Sequence, residues 1–252
     1  MSTRPLVRKR AQAAAREVLI IVLAALVYAG VRVLTEGDSR EAEANGRRIL
    51  RLEHALHIQW ESGLQAQVLA REWLATLADW VYIWGFWPVL AAAAIFLYAR
   101  HRDEYVLLRN AVFISGLIGF VFFALLPVAP PRLADPNVVD TIREHTTWYR
   151  TMQPIKLTNQ YAAMPSLHVG WGVLVGIAAA RAIRRPAAYA FAVLMPTAMA
   201  LAVVVTANHY VADVLVGSAV AGTALLIALR LRSLSVGRRP ARRVPASRAS
   251  PA

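Results

Sequence analysis

Long apolar runs, separated by short charged stretches, dominate the chain. A helix needs about 20 mostly apolar residues to cross the hydrocarbon core of a bilayer, within a range of roughly 17–25. Residues 18–34, 81–99 and 187–207 reach that length outright. Residues 111–126 reach it with the preceding 106–108 turn, and 211–229 do so despite Asp213 near the start. Residues 165–183 carry Gly170, Gly172, Gly176 and His168. Glycine in a membrane helix marks close packing against a neighbour, so this stretch counts as a span as well. The pattern predicts an all-α, six-span integral membrane bundle over residues 18–232, flanked by basic tails at 1–17 and 233–252. The first run is not read as a cleaved signal, because no small-residue cleavage site follows it before Arg32. No repeat of fixed period is present.

Between the first two runs, Ile49, Leu52, Leu56 and Trp60 recur at helical spacing with charges at the other positions. Residues 47–73 are therefore expected to form an amphipathic helix, with Trp60 and Trp73 as anchors. It would lie either in the outer membrane interface or across the mouth of the bundle. The last residues, 238–252, are rich in Arg, Pro, Ser and Ala and are expected to be disordered.

Composition sharpens this picture. Apolar and aromatic residues make up 58% of the 252 positions, against about 45–50% in ordinary globular chains, and the mean hydropathy is +0.45. A disordered or collagen-like chain is excluded. The absence of cysteine removes disulfide scaffolds, thiol nucleophiles and cysteine-based metal sites. Arginine outnumbers lysine 26 to 2 and alanine is abundant, which points to a GC-rich bacterial gene and hence to a bacterial plasma membrane.

The net charge of +13 acquires meaning once the loops are sorted by side. Both tails and the second-to-third and fourth-to-fifth loops hold 18 of the 28 basic residues and only Glu17, Asp103 and Glu104 of the acids. That side carries +15 and the other −2. Basic loops stay cytoplasmic, so both termini are expected inside. The charge then reflects topology and anionic lipid heads, and nucleic acid is not expected as a partner.

Two short constellations open helices on the opposite, outer side. Met164-Pro165-Ser166-Leu167-His168 begins the fourth span, and Asn208-His209-Tyr210-Val211-Ala212-Asp213 begins the sixth. His209 and Asp213 are four apart, hence one turn apart on one helical face. A carboxylate there fixes the imidazole tautomer and leaves the other nitrogen free as base or nucleophile. Asn208 reads as the helix N-cap. Pro165 suits the first helical position, which would point the amides of residues 166–168 outward as an anion site. Ser166 would add a hydroxyl, and His168 could protonate a leaving oxygen.

In the outer loop, residues 127–163, the stiff turn Pro127-Val128-Ala129-Pro130-Pro131-Arg132 would aim Arg132 at the helix mouths for phosphate binding. Lys156 is the next candidate cation, and Arg143, Arg150, Asn159 and Tyr161 are weaker mouth-lining candidates. His54, His57, His101 and His145 form no comparable set. A His and Asp metal site lacks evident third and fourth ligands, so no metal and no cofactor is expected.

Pro-Ser-Leu-His at 165–168 and His-x-x-x-Asp at 209–213, on six spans, resemble the type 2 phosphatidic acid phosphatase superfamily. The strings Val-Ala-Pro-Pro-Arg, Ala-Met-Pro-Ser-Leu-His and Asn-His-Tyr-x-x-Asp are similar to its branch related to fungal inositol phosphorylceramide synthase. The resemblance covers roughly residues 80–230. It implies metal-independent phosphoryl transfer through a phosphohistidine, with His209 as nucleophile, Asp213 orienting it, His168 as acid, and Ser166 with nearby amides holding the phosphate. The sequence departs from the superfamily pattern where Leu125 replaces a lysine, where Leu133 follows Arg132, and where Ala202 and Val203 replace a Ser-Arg pair. Arg132 and then Lys156 are the substitutes. The implied activity is that of a lipid phosphatase, the alternatives being an inositol or sugar-alcohol phosphotransferase, a catalytically silent lipid-binding or lipid-transporting protein, and vanadate-dependent oxidation on the same scaffold. The expected partners are a lipid phosphate substrate and membrane lipids.

Overall fold

The computed structural model describes residues 4–34, 38–145 and 159–237. They form α1 (Arg4–Leu34), α2 (Ser39–Ala55), α3 (Glu61–Leu69), α4 (Glu72–Trp80), a π turn (Val81–Gly85), α5 (Phe86–Arg100), α6 (Arg102–Leu125), the short α7 (Pro131–Ala134) and α8 (Thr141–His145), and then α9 (Leu167–Ile183), α10 (Pro186–Val205) and α11 (Val211–Gly237). Among the described residues there is no sheet, only one isolated bridge between Val128 and Ala162.

Five helical stretches are long and apolar enough to cross a membrane: Ala11–Val31, Glu72–Arg100, Arg102–Leu125, Pro186–Val205 and Val211–Leu234. Large apolar side chains such as Leu26, Leu125, Leu194 and Leu226 face outward from them, as a lipid solvent permits. The chain is a multi-pass membrane protein. α9 is shorter, with 17 residues, and sits in the centre, packed on α5, α6, α10 and α11. Its glycines explain the placement. A Cβ at Gly170 would lie 2.6 Å from the carbonyl oxygen of Gly217, and one at Gly217 would strike the carbonyl of Ser166. The backbones of α9 and α11 therefore touch. Leu174, Val175, Met199 and Val203 fill the core around this crossing.

The second crossing starts earlier than the hydropathy pattern predicts. α4, the π turn and α5 run on continuously from Glu72, and the buried Asp79 does not interrupt them because Thr141 Oγ1 donates to it at 2.7 Å. The expected single amphipathic helix over 47–73 is instead divided among α2, α3 and the start of α4, with the first break after Ala55 where His57 takes a left-handed φ of 57°. The stripe that α2 buries is Ala42, Asn45, Gly46, Ile49 and Glu53, while Leu52, Leu56, Trp60 and Trp73 are exposed. α2 packs across the mouth, where Asn45 Nδ2 donates to the Pro127 carbonyl at 2.9 Å and the Ala129 amide donates to Ala42 at 3.0 Å. α1 begins at Arg4, so the described part of the expected basic tail is helical and continuous with the stretch Ala11–Val31. Residues 238–252 lie outside the described residues.

At one end of the bundle arginines pair with the carboxylates of Glu17 and Glu104. Arg109 lies 2.6 Å from Glu17, and Arg181 and Arg232 lie 2.8 Å and 3.6 Å from Glu104. The motif residues lie at the opposite end.

Candidate active site

The turn between α10 and α11 is sharp. Ala207 has a φ of 53°, and the Val203 carbonyl accepts from the amides of both Asn208 (3.1 Å) and His209 (3.0 Å). α11 then starts at Val211, leaving Tyr210 in the cap position. Asp213, one turn in, accepts the Tyr210 amide on Oδ2 at 3.0 Å, the reciprocal half of a capping box. Asn208 is not the N-cap expected from its type. Its Nδ2 donates to Thr206 Oγ1 at 2.8 Å, and its Oδ1 accepts from Arg132 at 2.6 Å.

His209 is 7% exposed and Asp213 fully buried. The Nδ1 of His209 lies 2.7 Å from the carbonyl oxygen of Ala163 and 3.3 Å from Asp213 Oδ2. A carbonyl only accepts, so Nδ1 carries a proton, and in the neutral ring the lone pair is then on Nε2. The four-residue spacing predicts Asp213 as the sole partner of Nδ1, whereas the shorter contact is with the main chain. Ala163 is held in place by paired loop segments, because the Val128 amide donates to Tyr161 at 2.7 Å and the Ala163 amide donates to Val128 at 3.3 Å.

His168 faces this ring, with centroids 6.4 Å apart and planes at 61°. Tyr82, Phe86 and Trp87 surround it at 5.3, 5.1 and 6.4 Å. Tyr82 and Trp87 are five residues apart, a spacing that an α-helix would turn to different faces and that the π turn brings to one side.

α9 begins two residues later than expected, at Leu167, with Ser166 in the cap position, so Pro165 precedes the cap. The Ser166 amide does not point outward, since it donates to the Asp213 carbonyl at 3.1 Å. The Ser166 hydroxyl is completely buried and has no hydrogen-bond partner among the described residues.

Arg132 reaches the same mouth. Its amide donates to Ala207 at 3.1 Å, and its guanidinium binds Asn208 and lies 3.5 Å from Asp140. Ala202 and Val203, at the Ser-Arg positions of the superfamily pattern, are buried in α10. Lys156 and Arg150 lie outside the described residues. Arg143 is exposed, Asn159 is buried and Tyr161 half-buried. Among the described residues no three histidine or acidic side chains converge as they would around a metal ion.

Three participants escape sequence reasoning. Tyr210 is fully buried and donates to the Ala129 carbonyl at 2.7 Å. Burial and the negative charges of Asp213, Glu53, Asp135 and Glu61 push its phenol upward. Gly46 makes room for it, since a Cβ there would meet the phenol oxygen at 2.6 Å. Glu53 and Glu61 are buried as well. Their only trace in the sequence is that Glu53 continues the small-residue stripe of Ala42, Gly46 and Ile49 at three- and four-residue steps.

The family model for the PAP2 superfamily matches residues 47–227. The chain belongs to the PAP2 superfamily. The match takes in both motif turns and the Arg132 turn, and it extends back over α3 and the second half of α2, ahead of the region in which the motifs occur. PAP2 membership assigns the chain to phosphatase-type enzymes that act on lipid-type substrates. Comparisons with curated proteins and with solved structures return no match.

Proposed function

We propose that this PAP2 protein is a metal-independent lipid phosphatase working through a phosphohistidine. The observation that carries the reading is the 2.7 Å contact between His209 Nδ1 and the Ala163 carbonyl. That contact takes the Nδ1 proton and leaves Nε2 as the nitrogen that can act as nucleophile, across a gap from His168. His209 Nε2 attacks phosphorus in line, the bond to the leaving lipid oxygen breaks, and His168 gives that oxygen its proton. Asp213 stabilises the positive charge gained by the ring. His168 then takes a proton from the incoming water, whose oxygen displaces the imidazole and releases inorganic phosphate. Arg132 and the Ser166 hydroxyl offset charge on the non-bridging oxygens, where most stabilisation of phosphoryl transfer arises. Lys156 is the further candidate cation.

A groove of about 440 Å³ lined by Val169, Val173, Val211, Val214 and Leu215 adjoins both motif turns and suits the apolar part of such a substrate. In this reading α9 is a sixth span, both termini are cytoplasmic and the site opens on the outer face of a bacterial plasma membrane. α2 and α3 cover that opening at the interface. An alcohol such as inositol in place of water would give a phosphotransferase by the same steps, a reading favoured by the similarity of the three motif strings to the inositol phosphorylceramide synthase branch.

The test uses purified protein in detergent with phosphatidic acid, phosphatidylglycerol phosphate and polyprenyl phosphates, with and without alcohol acceptors, with EDTA throughout. Phosphate release with EDTA present, and an acid-labile, alkali-stable phosphoenzyme that His209→Ala abolishes, is the expected result. Unchanged turnover in His209→Ala would end the nucleophile assignment, and phosphoalcohol formation would move the protein to the transferases.

A further inference from the structure

The first turn of α11 holds His209 and Asp213 in place, and its amides need acceptors. The first four N–H groups of a helix have no partner within the helix, and leaving one unpaired in an apolar setting is costly. The usual remedy is a short polar side chain at the cap. Here the cap is Tyr210, whose phenol is directed away to Ala129. The acceptors come from about 150 residues earlier in the chain. Glu61 Oε1 accepts from the Val211 amide at 2.8 Å, and Glu53 Oε1 accepts from the Ala212 amide at 2.7 Å. Glu53 is 0% and Glu61 1% exposed. The second oxygen of each carboxylate is buried with no donor among the described residues.

Two adjacent buried carboxylates cannot both ionise cheaply, and like charges at such a site make one of them hold its proton to higher pH. We propose that Glu53 and Glu61 form an acid pair sharing one proton, and that the pair acts as a positioning device that clamps α2 and α3 onto the start of α11 and so holds His209 against Ala163. Neither residue touches the phosphoryl group. As a positioning device for catalysis, the pair rests on the phosphoryl-transfer reading above. As a clamp it stands on the hydrogen bonds alone.

The groups facing Glu53 are Glu61 from α3, the Ala212 amide, and Asp213 from α11, with the Tyr210 phenol inside the same field. Burial pushes Glu53 up to about 8, opposed by the Ala212 amide and reinforced by Glu61 and Asp213. In an unfolded chain a glutamate titrates near 4.3. Between these values the folded state binds more protons than the unfolded one, so stability falls as pH rises through that window and the contribution is lost above about 8. Beyond that point a second negative charge sits next to Asp213, and the clamp loosens.

The experiment compares full-length wild type with Glu53→Gln, Glu61→Gln and Glu53→Ala, using thermal unfolding and lipid-phosphate turnover between pH 5 and 10. Glutamine keeps an acceptor for the helix amide and supplies a permanent donor to the other acid, which mimics the protonated pair. The expected results are a wild-type Tm that declines as pH rises from 5 to about 9, and a smaller decline in both glutamine variants. Wild-type kcat is expected to fall about tenfold more steeply than that of Glu53→Gln on the alkaline side. Glu53→Ala should lower kcat roughly tenfold with KM within about twofold, the loss of one cap, and glutamine should recover most of it. A glutamine variant with the wild-type slope of Tm against pH overturns the shared proton, even if Glu53→Ala fails to fold. An unchanged kcat in Glu53→Ala overturns the positioning role. Absence of turnover in the wild type defeats the phosphatase reading and not the clamp, which the Tm comparison still decides.

Discussion

At the end of the bundle where α1, α6, α9 and α11 meet, carboxylates face guanidinium groups. Glu17 receives hydrogen bonds from Arg109 and Tyr105, and Glu104 receives two from Arg181. At the other end Glu53, Glu61, Asp79 and Asp213 are buried at 0–1% exposure and are held by backbone amides, a threonine hydroxyl and a histidine. The contrast separates two uses of acidic side chains. Long, partly exposed arginines tie helices together while tolerating motion. Carboxylates bonded to main-chain amides fix atoms in place, at a desolvation cost that a purely structural contact has no need to bear. The end that bears this cost is the one where the motif histidines meet.

Substitutions sharpen or break this contrast, starting with the largest effect. Asp213→Asn keeps an oxygen for the Tyr210 amide, so the protein should fold with a Tm within a few degrees of wild type. Loss of the charge opposite His209 should cost about 10³-fold or more in kcat, measured as phosphate release. Arg132→Ala should reduce kcat/KM by about 10- to 100-fold, the worth of a hydrogen bond to a charged group, with most of the loss for substrates of highest phosphate charge. Glu17→Gln should have the smallest effect, lowering stability by about 1 kcal/mol or less with turnover unaltered. If Glu17→Gln cost as much activity as Arg132→Ala, the two ends would not differ in kind.

The all-helical, multi-pass character and the position of each motif at the opening of a helix were legible because each depends on local pattern, whether apolar length or a four-residue spacing. Residues 47–73 were misread as one helix because periodicity marks where apolar side chains recur and not which stripe is covered. Leu52, Leu56 and Trp60 satisfy the period yet face outward, while a stripe of small and polar residues faces in. Glu53 and Glu61 look like ordinary surface charges until α11 is placed beside them, since hydrogen bonds spanning some 150 residues leave no local signature. Ala163 was invisible for a different reason. Its contribution is a carbonyl, which every residue has, and only the pairing of two loops gives it a role. The aromatic surround of His168 was hidden by a π turn, which shifts the register on which helical spacing arguments rely.

The contact between α9 and α11 at Gly170, Gly217 and Ser166 joins two main chains with no side chain as a spacer. The gap between the imidazoles is thereby a property of the scaffold, like the jaw opening of a fixed wrench. Side-chain changes nearby can alter what enters that gap or how fast it reacts. Its width would be reset by a single methyl group at residue 217, with every motif residue still in place.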